Sequence, residues 1–110
     1  MSLWSKLFGK KDSAPSPSRS TGSVAVLEVF GRGAAPSVSA ARQVCDAWVK
    51  QNPGADPSHA RVRVNVDTSG LWTDQYARAH YPLLHYRGQE STWEFIRIGD
   101  QEYWLLVVFA

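Results

Sequence analysis

Cys45 and the three histidines are the residues whose types most often carry nucleophilic or metal chemistry. A thiolate beside an imidazole can act as a nucleophile, and imidazoles with thiolates or carboxylates bind Zn²⁺. Cys45, however, shares a predicted apolar helix face with Trp48, and such surroundings raise a thiol pKa. His80 and His85 are five residues apart across a proline, a spacing that does not match a helical metal pair, and His59 lies in a predicted loop. We therefore expect a packed, inert cysteine and no metal site.

A glycine pair between a predicted strand and a predicted helix is the second chemical candidate. Gly31 and Gly33 follow "VAVLEVF", and Asp67 ends the next strand, an arrangement similar to the opening of a dinucleotide-binding fold. The third glycine position holds Pro36, and the 43 residues after Asp67 are too few for the second half of such a fold. We expect an ordinary strand-to-helix turn. A small-ligand-binding protein or enzyme that uses Gly31, Gly33 and Asp67 is the alternative function.

Glu28 is the one acidic residue inside a predicted apolar strand. Acid–base catalysis would need a second group that converges with it in a pocket, and the sequence offers no obvious partner of that kind. A structural pairing, for example with Arg97, is the commoner role for such a carboxylate. We therefore predict no catalytic residue and no cofactor.

Aromatic side chains crowd the second half of the chain and suggest a binding surface of another kind. Trp72 and Tyr76 fall at or near the predicted short helix "TDQYARAHY". If they lie on its outer face, they form an anchor for a protein partner, because tryptophan and tyrosine dominate interface energetics. The alternative is that they cover one face of the sheet, since a small domain has much apolar surface to hide.

The elements that must position these residues follow from periodicity. A strand begins at Val24, and a helix runs from near Ser37 to "NPGADP". "RVRVNVD" (61–67) alternates strictly, as a half-exposed strand does. A short helix begins near Thr73 and ends before Pro82, and three strands follow: "LLHYR" (83–87), "TWEFIRI" (92–98) and "EYWLLVVF" (102–109).

This strand-helix-strand-helix-strand-strand-strand order predicts an α+β domain with a single mixed five-stranded sheet. The first two strands should be parallel, because a helix connects them in a crossover. The expected spatial order is 61–67, 24–30, 102–109, 92–98 and 83–87, which places the two strands that are apolar on both faces inside the sheet.

The N-terminal residues predict a separate organisation. Residues 1–11 form a short amphipathic basic head, residues 12–23 a Ser/Pro-rich linker, and residues 24–110 the globular domain. On a helix, Leu3 pairs with Leu7 and Trp4 with Phe8 at four-residue spacing. The head could contact a membrane surface or a partner's groove, cover an apolar patch on its own domain, or have no role. Its contact residues would be Leu3, Trp4, Lys6, Leu7, Phe8, Lys10 and Lys11.

Charge and cysteine content limit the class of function. The first 22 residues carry four basic residues against one acidic residue, whereas the remainder carries eight against nine. We therefore expect no nucleic-acid partner, since such domains place basic charge on the folded surface. A single cysteine and the lack of a long apolar run favour a cytoplasmic protein, with peripheral contact at the inner membrane surface through the head. The leading hypothesis is a small non-enzymatic interaction module of the immunity or accessory type, which binds a protein partner and is loosely tethered by its head.

Overall fold

The computed structural model describes residues 21–110. The predicted head, residues 1–11, and most of the linker lie outside the described residues, and so do all the head contacts from Leu3 to Lys11. The described part confirms an α+β fold with one mixed five-stranded sheet and two helices. Its elements are β1 (Gly22–Gly31), α1 (Val38–Gln51), β2 (Ala55–Asp56), β3 (Arg61–Val66), α2 (Gln75–His85), β4 (Ser91–Ile98) and β5 (Gln101–Phe109).

The sheet is built around β1 and β5. β1 pairs in parallel with β3 along one edge and antiparallel with β5 along the other, and β5 continues to β4. The short β2 pairs with the start of β1, at Gly22 and Ser23. The predicted order is confirmed for the four long strands, because β1 and β5, which are apolar on both faces, need neighbours and cover on every side.

One predicted strand is wrong. "LLHYR" continues α2 through Pro82 to His85, and the fifth strand is β2, within the predicted loop "NPGADP". Proline ends most helices because it removes an N–H donor and leaves the carbonyl four residues earlier unpaired. Here that carbonyl belongs to Arg78, and it accepts a hydrogen bond from the Trp93 indole Nε1 at 2.7 Å. A side chain from β4 therefore supplies the hydrogen bond that Pro82 cannot.

The two faces of the sheet carry separate apolar clusters. On one face, α1 inserts Val44 and Trp48 over residues of β1 and β5 such as Val29 and Leu105. On the other, Phe30 and Leu106 belong to a cluster that also contains Leu71, together with half-buried aromatic residues around α2. None of the helices in residues 21–110 is long and apolar enough to cross a membrane. The consequence for function is that α1 and α2 present independent outer surfaces, one on each side of the sheet.

Candidate functional site

Helix α2 is unusual because none of its residues is buried. A helix of a globular domain normally fixes itself by burying an apolar stripe. Its attachment to the sheet therefore depends on particular contacts, and the strongest of them converge on Glu28 in β1. The Glu28 side chain is completely buried and lies on the α2 side of the sheet, between Val26 and Phe30 in the strand alternation.

Three donors surround the Glu28 carboxylate. The Tyr81 hydroxyl donates to Oε2 at 2.9 Å, and the Tyr86 hydroxyl donates to Oε1 at 2.7 Å. Asn65 of β3 donates from Nδ2 to Oε2 at 3.1 Å. The Tyr86 oxygen also accepts a hydrogen bond from Arg63 at 3.2 Å. We call these five residues (Glu28, Arg63, Asn65, Tyr81 and Tyr86) the Glu28 clamp, because they join β1 and β3 to α2 through Tyr81 and to the residue that follows α2, Tyr86.

The clamp keeps both phenols neutral. Burial, followed by the hydrogen bond to Glu28 and its charge, raises the pKa of Tyr81 well above its ordinary value. The same causes, in the same order, raise the pKa of Tyr86 to about 12, although Arg63 opposes the shift. Both phenols therefore stay protonated well above neutral pH. The arrangement supplies hydrogen-bond donors to the Glu28 carboxylate and fits the structural pairing expected for it.

Aromatic contacts complete the attachment of α2. The Tyr81 ring meets Phe30 edge to face, with ring centroids 5.2 Å apart. The Arg78 guanidinium lies 4.5 Å from the centroid of the Trp104 ring, and the same guanidinium donates to the carbonyl of Leu71. Such contacts restrict both the rotation and the sliding of the helix on the sheet. The inner side of α2 is thus held without a buried leucine or valine of its own.

The outer side of α2 is apolar and open. Tyr76, Leu83 and Leu84 are 68%, 62% and 70% exposed. They share one helix face with His80, because residues at i, i+4, i+7 and i+8 lie together. The Tyr76 ring stacks on His80, with centroids 3.8 Å apart. A cavity of about 350 Å³ adjoins Leu84 and reaches Asn65 of the clamp. We call these four residues, Tyr76, His80, Leu83 and Leu84, the α2 outer face.

The two aromatic residues predicted as a partner face occupy different environments. Tyr76 belongs to the α2 outer face. Trp72 precedes the helix, is half-buried, and packs edge to face on Phe95 with centroids 6.0 Å apart. The sequence prediction places Leu83 and Leu84 in a strand and not on this helix face. The helical spacing of Tyr76 and His80 nevertheless continues to both leucines beyond Pro82, and this is the signal that identifies them.

The glycine turn and Asp67 do come together, but through the backbone. The Asp67 N–H donates to the Gly31 carbonyl at 3.0 Å. The Asp67 carboxylate accepts from the N–H groups of Leu71 and Trp72, at 2.8 and 2.9 Å, so each oxygen already has a donor. Gly31 has no room for a side chain, because a Cβ would lie 2.2 Å from the Ala34 carbonyl oxygen. These residues build the chain reversals at this end of the sheet.

The remaining chemical candidates are dispersed. Cys45 lies in α1 and is buried. That burial, together with the charge of Asp46, raises the pKa of its thiol to about 11. His80 and His85 place their Nδ1 atoms near backbone carbonyl oxygens of α2, at 3.1 and 3.0 Å. Within residues 21–110, no group of three His, Cys, Asp or Glu side chains could hold a metal ion. Arg97 binds Glu102 at 2.7 Å on the surface, so its predicted pairing with Glu28 is wrong.

Comparison of the chain with protein-family models gives no match, and comparisons with curated proteins and with solved structures give none either. The geometry of the α2 outer face and of the clamp beneath it is therefore the basis for a functional assignment.

Proposed function

We propose that this chain is a non-enzymatic protein-interaction module and that the α2 outer face is its partner contact. The observation that carries the proposal is the combination of three large apolar side chains, each 62–70% exposed, on a helix that the Glu28 clamp fixes from below. Single exposed apolar residues are ordinary, but a contiguous patch on one helix face is typical of interaction surfaces.

The energetics of such a face favour binding. Full burial of an exposed large apolar side chain contributes about 1.5–3 kcal/mol; since about two-thirds of Tyr76, Leu83 and Leu84 is exposed, the three together offer roughly 3–6 kcal/mol of gross stabilisation. Much of the ordering cost of association is already met, because the clamp holds the helix in place before the partner arrives. A helix face of this kind fits an apolar groove. Arg63 and Arg87 are exposed near the C-terminal half of α2, and they favour a partner whose groove has an acidic rim.

The head is proposed as a second, weaker contact. Three lysines interspersed with four apolar residues suit an anionic surface, with about 1 kcal/mol from each lysine. Such a contact is reversible by itself and gains strength when the α2 outer face is engaged at the same time. This extends the module to the immunity or accessory type of protein, which localises and caps a larger partner.

Site-specific photo-crosslinking tests the proposal. A photoreactive amino acid replaces Leu83 in the full chain, and the matched control carries it at Lys50, which is exposed on α1 on the opposite side of the sheet. We expect one protein to be captured from the native cell extract at position 83 and not at position 50, and Leu84→Asp to abolish that capture.

The captured protein is then purified and its affinity measured directly. We expect Tyr76→Ala, Leu83→Ala and Leu84→Ala each to weaken binding by about tenfold or more, with Lys50→Ala unchanged. Equal capture at both positions, or affinities that none of the three substitutions alters, would overturn the proposal. Capture of only a second copy of this chain would replace it with a homodimer.

The alternative function, a small-ligand-binding protein or enzyme built on Gly31, Gly33 and Asp67, gains no support from the site. Both oxygens of the Asp67 carboxylate accept backbone hydrogen bonds, so the group is not presented to a ligand. The cavity of about 450 Å³ beside the glycine turn is lined by Arg32 as well as by Asp100 and Glu102, so its charges do not favour an anionic ligand over a cationic one.

A further inference from the structure

An apolar groove lies on the other side of the sheet, between α1 and the edge strand β3. Its cavity is about 430 Å³ and is lined mainly by apolar side chains. Val62 and Val64 of β3 are 54% and 43% exposed there, and Val38 at the start of α1 is 72% exposed. We call this the α1–β3 groove; its apolar lining comprises Leu27, Val38, Ala41, Cys45, Val49, Pro57, Ala60, Val62 and Val64.

The groove exists because α1 does not cover the whole sheet. In the register of the parallel pair, Val62 stands beside Leu27 and Val64 beside Val29, so all four side chains point to the α1 side. The cluster under α1 includes Ile96 and Ile98 of β4 on one side, and Ala55 and Ala60, which precede β3, on the other. The helix contacts β3, but Val62 and Val64 remain 54% and 43% exposed, so α1 does not close over the apolar side of that strand. No other strand of the described residues pairs with the outer edge of β3.

We propose that the α1–β3 groove binds the chain's own head, through the apolar side chains of residues 3–8. The first argument is where the described chain begins. Gly22 pairs with Ala55 and Ser23 with Asp56, and the next residue, Pro57, already lines the groove. Adjacent strands are about 4.8 Å apart and consecutive Cα atoms 3.8 Å, so the chain enters within about 10 Å of the groove.

The second argument is reach. Residues 9–21 separate the apolar residues of the head from β1. Any chain of that length spans roughly 45 Å when fully extended, and a random coil of that length has an end-to-end distance of about 20 Å. β3, with six residues, is about 20 Å long. The head can therefore reach every part of the groove without stretching its linker.

The third argument is chemical complementarity. Leu3, Trp4, Leu7 and Phe8 supply apolar side chains that can cover the apolar lining of the groove; Arg42 and Asp46 at its rim carry opposite charges, so the match is apolar and not one of net charge. A tether of this length that behaves as a random coil would give the head an effective concentration in the millimolar range. A contact with an intrinsic dissociation constant of about 1 mM is then roughly half occupied, which a small apolar segment can achieve without help.

Paramagnetic relaxation enhancement on the full chain tests this placement. Ser5→Cys introduces a thiol for a nitroxide label, while Cys45 is buried and stays unlabelled. We expect the label to reduce the amide signals of Val49, Val62 and Val64 to below half of their diamagnetic intensity. Amide signals of α2 should be unchanged, because that helix lies on the opposite face of the sheet.

Matched variants separate binding from mere tethering. The same label on a chain that also carries Leu7→Ser and Phe8→Ser reports the broadening due to the linker alone. The same label on a chain with Val62→Thr tests whether the apolar lining of the groove is needed for the broadening. We expect both variants to restore the signals at least twofold. Equal broadening with and without these substitutions would overturn the proposal. The second control mixes nitroxide-labelled chain without ¹⁵N with ¹⁵N chain without a label, so that any broadening must come from a different molecule. Broadening in this mixture would show that the groove binds the head of another copy and would overturn the proposal.

This inference does not depend on the partner contact at α2, but it uses the same apolar side chains as the proposed contact of the head with an anionic surface, so the head occupies the groove or the surface and not both at once. The groove and the α2 outer face lie on opposite faces of the sheet, so crosslinking at position 83 and relaxation at Val62 can succeed or fail separately.

Discussion

Substitution of Glu28 by glutamine tests the clamp that holds the partner-binding helix. The change keeps the size of the side chain but replaces one acceptor oxygen with an NH₂ group, which faces a tyrosine hydroxyl 2.7–2.9 Å away. A hydrogen bond to a charged group contributes about 1.5–3 kcal/mol, and the half-buried tyrosine hydroxyl that faces the new NH₂ group loses its acceptor. We expect Glu28→Gln to lower the free energy of unfolding by about 2–3 kcal/mol. In a domain of this size that corresponds to a Tm lower by roughly 10–20 °C.

Urea unfolding followed by far-UV circular dichroism measures this loss. Glu102→Gln is the matched control, because it removes a carboxylate whose partner is the two-thirds exposed Arg97. Exposed ion pairs contribute about 0–1 kcal/mol, so the control should stay close to wild type. If the two variants differ by less than about 0.5 kcal/mol, the carboxylate does not hold α2, and the reasoning about a preorganised outer face is refuted.

Alkaline pH gives the same clamp a second signature. The pKa of Tyr86 is raised from 10.0 to about 12 in the folded chain, and that of Tyr81 is raised further in the same direction. Below pH 10 both phenols are protonated in the folded and unfolded states, so their contribution is fully present. It is lost as the pH rises from about 10 through 12, because the unfolded chain releases these protons first. We expect this alkaline loss of stability to be smaller in Tyr86→Phe than in wild type, and an identical pH profile would contradict the assignment.

Three further outcomes are expected. Asp67→Ala should lower stability by about 1–2 kcal/mol, as the loss of a helix cap does, because two backbone N–H groups lose their acceptor; a value indistinguishable from wild type in urea unfolding would contradict this role. Cys45 should not react with a disulfide reagent at pH 8 until urea unfolds the chain, since burial and the charge of Asp46 raise its pKa to about 11; rapid labelling of the native chain would argue against it. Co-sedimentation with anionic vesicles should fall when Trp4 and Phe8 are replaced by serine; no binding by the intact chain would remove the surface contact of the head.

The regular part of the fold could be predicted because the apolar pattern of each strand by itself indicates its place in the sheet. β1 and β5 are apolar on both faces, and this alone places them inside the sheet between other strands. The sequence of β3 alternates strictly, which predicts a half-exposed strand, although Val62 and Val64 on its apolar face are 54% and 43% exposed in the structure. The long-range pairing followed from these burial patterns and from the helix that connects β1 to β3.

The parts that could not be predicted depend on contacts between residues far apart in the chain. Pro82 predicts the end of a helix when only its sequence neighbours are considered. In the structure the Trp93 indole donates a hydrogen bond to the Arg78 carbonyl, which Pro82 leaves unpaired, and α2 continues. The role of Glu28 could be narrowed to a structural pairing, but its partners Tyr81 and Tyr86 lie more than fifty positions away. Once α2 is extended by one turn, Leu83 and Leu84 join Tyr76. The sequence therefore does not predict Leu83 and Leu84 as part of the α2 outer face, for the same reason that it does not predict the end of the helix.

The pairing of β1 with β5 has a consequence for how the chain acquires its structure. These are the first and last strands of the described residues, and they align from Val24 opposite Phe109 to Gly31 opposite Tyr103. Neither helix has a complete surface to pack on until that long loop has closed. We therefore expect slow folding, in milliseconds to seconds, and a nascent chain that stays unfolded on the ribosome until β5 has emerged from the exit tunnel.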